Sequence, residues 1–253
     1  MHDNIETTSN QPYYHRSHEI RLLNCLIELD TFLLSHKISY CLFGGLAVAS
    51  YAGHLIRKLH DIDIILKPNQ IESLQNFLIN KGFAICETNK SKKAQYLKYV
   101  RHDKNGVYQL KTSIFPGKFI LLNLDSSHLS VLATYDFQDA LSQSQRRVIS
   151  SLDGEREARV NILPIEDLII SKLWPTLEPT TIHDLLILLT SPEAKTFNMN
   201  YIFQKINSSQ PLREIYCNSM AIFKKTYKNT AWYKLATNIS EIDQMIGKLD
   251  TLK

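Results

Sequence analysis

A short apolar run ends in two glycines, and two alternating aspartates follow after fifteen residues: Phe43-Gly44-Gly45, then Asp61-Ile62-Asp63-Ile64. Tyr40–Phe43 is strand-like. Leu46–Ala52 is small and apolar, suited to a short helix, and Gly53 supplies its stop. Glycine permits a tight turn from strand to helix and the close approach of a phosphate to the backbone. The N–H groups at a helix start point outward, and the helix dipole favours an anion there. Asp61–Leu66 begins by alternating acid and isoleucine, the period of a strand, so Asp61 and Asp63 share one face. Two carboxylates on one face make a hard-oxygen site for Mg²⁺ (or Mn²⁺), which binds through one or two carboxylates plus substrate phosphates. The pattern implies a nucleoside-triphosphate cradle beside a divalent-metal clamp. The matching chemistry is in-line displacement at phosphorus.

Composition limits the alternatives. In 253 residues, 44% are apolar and 21% charged, which excludes wholesale disorder. The formal charge of +4 suits a protein that handles phosphates but is too small for a nucleic-acid coat protein. No apolar stretch approaches the roughly 18–20 residues of a membrane span, and the polar start is not a secretory signal. Cys25, Cys41, Cys86 and Cys217 form no CxxC pair, so a reduced, cytoplasmic compartment is expected. The histidines show no zinc-ligand spacing, and neither GxxxxGK[ST] nor GxSxG occurs.

Along the chain, residues 1–16 read as a flexible tail and 17–36 as a helix with a broad apolar face. Pro68 opens a helix over 69–81, with Asn69 and Glu72 at capping-box spacing and Gly82 as the stop. Residues 83–125 are strand-like, with a hairpin at Asn105-Gly106 and an apolar strand from Lys118 to Asp125. A short helix over 136–146 and a strand over 158–163 follow. Helical patterns then cover 165–174, 181–190, 199–207, 211–228 and 238–251, punctuated by prolines. The expected organisation is an α/β part over 17–160 and a helical domain over 161–253.

The segment Gly44–Ile64, with its Gly-Gly pair, Gly53, Arg57-Lys58 and Asp-Ile-Asp, resembles the nucleotidyltransferase superfamily signature. It looks closest to the aminoglycoside and lincosamide antibiotic nucleotidyltransferases. Ile162-Leu163-Pro164-Ile165-Glu166-Asp167-Leu168-Ile169, with Lys172 and His183-Asp184-Leu185, is also similar to the superfamily, notably its AbiE-type and MenT-type toxin members. The resemblance implies an α+β fold: a mixed sheet with flanking helices, followed by a helical C-terminal domain. It implies Asp61 and Asp63 as metal ligands and Gly44 and Gly45 around the β/γ phosphates. Lys172 and Arg57 become phosphate contacts, and Asp184 orients Lys172 or assists the acceptor. The activity implied is transfer of a nucleoside monophosphate from an NTP to an acceptor hydroxyl, with release of pyrophosphate. The acceptor is left open among a small molecule, tRNA or other RNA, and a protein, and a toxin role would add a cognate antitoxin as partner.

One departure stands out. Active members place a third carboxylate on a later strand, whereas Val107–Thr112 offers Gln109 and Lys111. Asn123 and Asp125 share a face of the following strand, which makes Asp125 the candidate third acid. Without one, the alternative is a nucleotide- or partner-binding protein of the same fold that does not catalyse.

Overall fold

Leu22, Leu23, Leu26, Leu29 and Leu33 recur at helical spacing and are all buried on one face of helix α1 (Pro12–Ser35). The computed structural model describes residues 12–252 except 60, 91–94, 104–105, 115–117, 124–129, 137–140, 174–176, 209 and 237–238. Helix α1 begins at Pro12, several residues before the expected start, so the part of the expected tail from 12 onward is helical. The rest of that tail lies outside the described residues.

Strand β1 (Tyr40–Phe43) leads directly into α2 (Gly44–Ala52). Leu46 to Tyr51 are all buried, and Gly53 ends the helix in the left-handed conformation at φ +81°. Strand β2 (Asp61–Leu66) follows. A 3₁₀ turn at Pro68–Gln70 precedes α3 (Ile71–Asn80), whose first turn begins after Gln70, with no side-chain cap. The expected Asn69–Glu72 capping box is therefore not the start of this helix; proline's fixed φ tightens the entry into a 3₁₀ turn instead.

Strands β3 (Ala84–Lys90), β4 (Gln95–Asp103) and β5 (Gly106–Ile114) follow, the last two joined as the expected hairpin, with Asp103 registered against Gly106. Strands β6 (Lys118–Asn123) and β7 (Ser130–Asp136) form a separate two-stranded sheet. The helix expected over 136–146 is seen in part: Leu141 and Ser142 are helical, 137–140 lie outside the described residues, and its expected ends are corrected. Asp136 closes β7, and Gln145 opens β8 (Gln145–Ser150), which pairs antiparallel with β9 (Glu157–Ile162). The β-branched Val148 and Ile149 fit a pleated strand, and the polar residues at its start suit a sheet edge.

The main sheet has seven strands in the order β3-β4-β5-β2-β1-β9-β8 and is mixed. Strand β2 runs antiparallel to β1 and parallel to β5, while β9 is parallel to β1. The remaining elements are helical: α4 (Ile165–Lys172), α5 (Pro179–Thr190), a 3₁₀ turn at Pro192–Lys195, α6 (Met199–Ile206) and α7 (Gln210–Thr226). After a 3₁₀ turn come α8 (Ala231–Leu235), unforeseen in the sequence, and α9 (Ile239–Asp250). Thr230 caps α8 by accepting from the Tyr233 N–H. This is the expected architecture of a mixed sheet with flanking helices followed by helices. Buried apolar residues extend from Leu22 to Leu249 in one core. Among the described residues, no helix is long and apolar enough to cross a membrane.

A buried polar lock joins α1 to the sheet. Asp30, 8% exposed, accepts from the Tyr40 hydroxyl and takes a bidentate pair from Arg146, at 2.5 and 2.9 Å. The Tyr40 oxygen in turn accepts from the Asn161 N–H at 3.3 Å. Burial and the adjoining Asp30 carboxylate push the Tyr40 phenol well above its usual range, so it stays a neutral donor. Tyr40→Phe is expected to cost about 1.5 kcal/mol, since two hydrogen bonds go while Asp30 keeps its arginine. A shift of the urea midpoint with an unchanged slope checks it.

Candidate active site

The register of β1 against β2 sets Phe43 opposite Asp63, so the turn that starts α2 lies beside the acidic end of β2. Asp61 and Asp63 are half-buried while Ile62 and Ile64 are buried, so the acids do share one face. Both glycines belong to the first turn of α2, two residues earlier than expected for that helix.

Each glycine is required by its neighbours. Gly44 has φ +70°, and a Cβ there would stand 2.5 Å from Asp63 Oδ2. A Cβ on Gly45 would meet Leu59 Cδ2 at 2.6 Å and Arg57 Nη2 at 2.9 Å. The missing side chains let a carboxylate and a guanidinium close on the helix start from two sides. Gly44→Ala is expected to lower any transfer activity about 100-fold, because Asp63 must shift by a sizeable fraction of an ångström. Gly53→Ala carries the same kind of backbone strain, but nothing lies within 4 Å of its added methyl. It should lose about 1 kcal/mol of stability and leave the site intact. Parallel melts and rate assays of the two variants separate local strain from displacement of Asp63.

Arg57 does not sit in a loose solvated loop. Its segment is pinned where the His18 Nε2–H donates to the Leu59 carbonyl at 2.6 Å and the Leu55 N–H donates to the Ser150 carbonyl at 3.0 Å. Leu55 and Leu59 are buried. Arg57 Nη2 donates to Asp184 Oδ2 at 3.2 Å, and Lys172 Nζ reaches the same oxygen at 2.7 Å. The Asp184 side chain is only 1% exposed, against 15% for Lys172 and 27% for Arg57. Two cations thus share one carboxylate, and the trio keeps a net positive charge beside the Gly45 turn. Arg57 Nε is buried without a hydrogen-bond partner, so the guanidinium has donor capacity left.

The structure brings together Gly44, Gly45, Arg57, Lys172 and Asp184, and seats Asp63 on the same turn with Asp61 one strand repeat away. Asp125 lies outside the described residues, and β6, which precedes it, is not part of the main sheet. On β5, the strand beside β2, Gln109 registers with Asp61 and Lys111 with Asp63. Among the described residues, no group of three or more His, Cys, Asp or Glu could hold a metal ion, which leaves the pair on β2. That pair fits Mg²⁺ by its donor chemistry, since hard oxygens from one or two carboxylates and substrate phosphates are what the ion takes. Part of the second motif serves packing instead. Tyr201 donates its hydroxyl to the fully buried Asp167 at 3.1 Å, and the Asn198 N–H donates to Glu166 at 2.7 Å, fastening α4 to α6.

Sequence reasoning missed the stacking of His183 on Trp232, with ring centroids 3.8 Å apart. The two lie 49 positions apart, and neither belongs to a recognisable spacing pattern.

No protein-family model matches the chain, and no curated protein matches it. Among solved structures, it is similar to the lincomycin-bound lincosamide antibiotic adenylyltransferase LnuA, with 20% identity, a TM-score of 0.45, and coverage of 65% of this chain and 94% of that one. It is also similar to an antigenic nucleotidyltransferase-like protein from Paracoccidioides brasiliensis, with 17% identity, a TM-score of 0.47, and coverage of 90% and 92%. The antibiotic-resistance factor ANT(2'')-Ia aligns at 13% identity and a TM-score of 0.43, covering 83% of this chain and 95% of its own. The structural neighbours are thus nucleotidyltransferases and nucleotidyltransferase-like proteins.

Proposed function

We propose that this protein is a metal-dependent nucleotidyltransferase that moves a nucleoside monophosphate from an NTP to an acceptor hydroxyl and releases pyrophosphate. The observation that carries the proposal is the closure of Asp63 and Arg57 onto the two glycines at the start of α2. An anion-binding helix start, a carboxylate pair and two cations converge there.

In this reading, the Gly44–Gly45 turn offers its backbone N–H groups to the β/γ phosphates. Arg57 and Lys172 supply positive charge beside it, and Asp184 holds both in place. Asp61 and Asp63 would hold Mg²⁺ or Mn²⁺, which when bound offsets phosphate charge and favours ionisation of an attacking hydroxyl. Asp125 remains the candidate third acid, as ligand or general base. The acceptor is a small molecule, an RNA end or a protein hydroxyl. A cytoplasmic setting and, for a toxin, a cognate antitoxin complete the proposal.

A second reading is favoured by one observation: the register positions beside Asp61 and Asp63 on β5 hold Gln109 and Lys111 rather than an acid. Under it, the protein binds nucleotide without transferring it.

The deciding experiment incubates the full chain with each labelled NTP and Mg²⁺ or Mn²⁺. Acceptors are total RNA, cell extract, or a panel of aminoglycosides and lincosamides. Label transfer abolished by Asp61→Ala/Asp63→Ala supports the enzyme. Metal-dependent NTP binding without transfer supports the second reading. NTP binding unchanged in the double variant overturns the metal-site assignment.

A further inference from the structure

The face of the sheet that bears the two acids continues from β2 onto its neighbours. Asp61 is in register with Gln109 and Asp63 with Lys111 on the parallel strand β5, and Lys111 is in register with Lys98 on β4. Residues in register across a sheet share one of its faces, because all strands alternate with the same two-residue period. The positions beside the carboxylates are therefore a neutral amide and an ammonium, with a second ammonium one strand further on. Lys98 has an acid at its own next register position, Glu87 on β3, whereas the acid next to Lys111 is Asp63 itself.

This placement bears on how many ions the acids can hold. Two-metal phosphoryl-transfer sites keep their ions about 3.5–4 Å apart. Dications that close repel one another, and only negatively charged ligands offset the repulsion. Here Asp61, Asp63 and Lys111 together carry a single net negative charge. Among the described residues, no third His, Cys, Asp or Glu joins the pair to make a larger group. Lys111 is anchored one strand spacing, about 4.8 Å, from Asp63. A positive charge is thus built into the chain next to the acids, where a second ion would need a negative one.

We infer that Lys111 takes the place of a second metal ion, so that Asp61 and Asp63 hold a single divalent cation. The inference rests on the metal-site assignment above. A lysine ammonium is a compact point charge and an established partner of phosphate. Fixed to the strand, it contributes one unit of positive charge to a triphosphate site with no binding equilibrium of its own. Gln109, being neutral, adds no charge beside Asp61. The inference holds equally for nucleotidyl transfer and for nucleotide binding alone, since both use the same ion.

Mn²⁺ is the probe, because two such ions about 4 Å apart are magnetically coupled. Inorganic tripolyphosphate supplies the phosphate ligands without a choice of base. Electron paramagnetic resonance of the full chain with both should show one protein-bound, uncoupled Mn²⁺. Lys111→Asp puts a third acid in register with Asp63 and should produce the coupled signal of a pair. Lys111→Met should keep one ion and tighten Mn²⁺ about ten-fold in calorimetric titration with the metal alone, through loss of the repulsion between an ammonium and a dication. A coupled pair in the wild-type chain, the result expected if Asp125 is a third ligand, overturns the inference and leaves the metal-dependent reading standing. No protein-bound Mn²⁺ at all overturns the metal-site assignment, and the inference with it. A folded Lys111→Asp chain that still holds one ion, or a folded Lys111→Met chain with unchanged Mn²⁺ affinity, also overturns the inference. Circular-dichroism melts establish which variants are folded, and the wild-type spectrum carries the test if neither is.

Discussion

Asp63→Asn should lower nucleotidyl transfer by about three orders of magnitude while leaving the protein folded. Loss of one preorganised electrostatic group at a reacting centre costs about 10²–10³ in rate, and loss of a metal ligand belongs at the upper end. Asparagine keeps the shape that fits against Gly44, where any added atom would stand 2.5 Å from Oδ2. What disappears is the negative charge at the start of α2. As a helix-terminal charge alone, Asp63 would contribute about 0.3–1 kcal/mol. The two roles therefore separate in one experiment. A large fall in transfer, together with loss of any Mg²⁺-induced rise in melting temperature, marks a metal ligand. A small drop in melting temperature with transfer intact marks a helix cap and no more.

The largest expected effect on stability belongs to Asp184→Ala. Asp184 is 1% exposed and takes Lys172 at 2.7 Å and Arg57 at 3.2 Å. Removing one partner of a buried ion pair costs about 3–5 kcal/mol, because the opposite charge stays behind without compensation. Here two cations are left, but both reach solvent in part, which places the cost near the lower end, about 3 kcal/mol. For a chain of this size, that is a fall of about 6–12 °C in melting temperature. Lys172→Met should be far milder, since Asp184 keeps Arg57 and the aliphatic stem is preserved. Differential scanning calorimetry of the two variants tests the asymmetry. Equal losses would show that Asp184 is not the shared anchor.

This anchor also explains what could be read in the chain and what could not. Gly44–Gly45 and Asp61–Asp63 were legible because their geometry is local. A strand alternates faces every residue, and a strand-to-helix turn with a left-handed residue selects glycine. The leucine face of α1 and the Asn-Gly hairpin were legible for the same reason. The link from Arg57 to Asp184 spans 127 positions and leaves no spacing for a periodicity to reveal. Arg57 lies in a loop whose position is fixed by the buried Leu55 and Leu59 and by the His18 bond, contacts that no local pattern announces. The expected helix end at 146 overran the start of β8, because Gln145-Arg146-Arg147 has the polarity of a helix surface and only pairing with β9 makes it a strand.

The sequence by itself determined the chemistry on offer at one turn: two glycines to admit a close neighbour, and two acids committed to one face of a strand. These follow from steric limits on φ and from the two-residue repeat of a strand, which act wherever the chain goes. Only the tertiary structure decided what closes on that turn. Packing α4 and α5 against α2 brought Lys172 and Asp184 to Arg57, and strand order put β5, with Gln109 and Lys111, beside the acids. Such contacts depend on which faces are buried together, a choice made by the whole core and by no single segment.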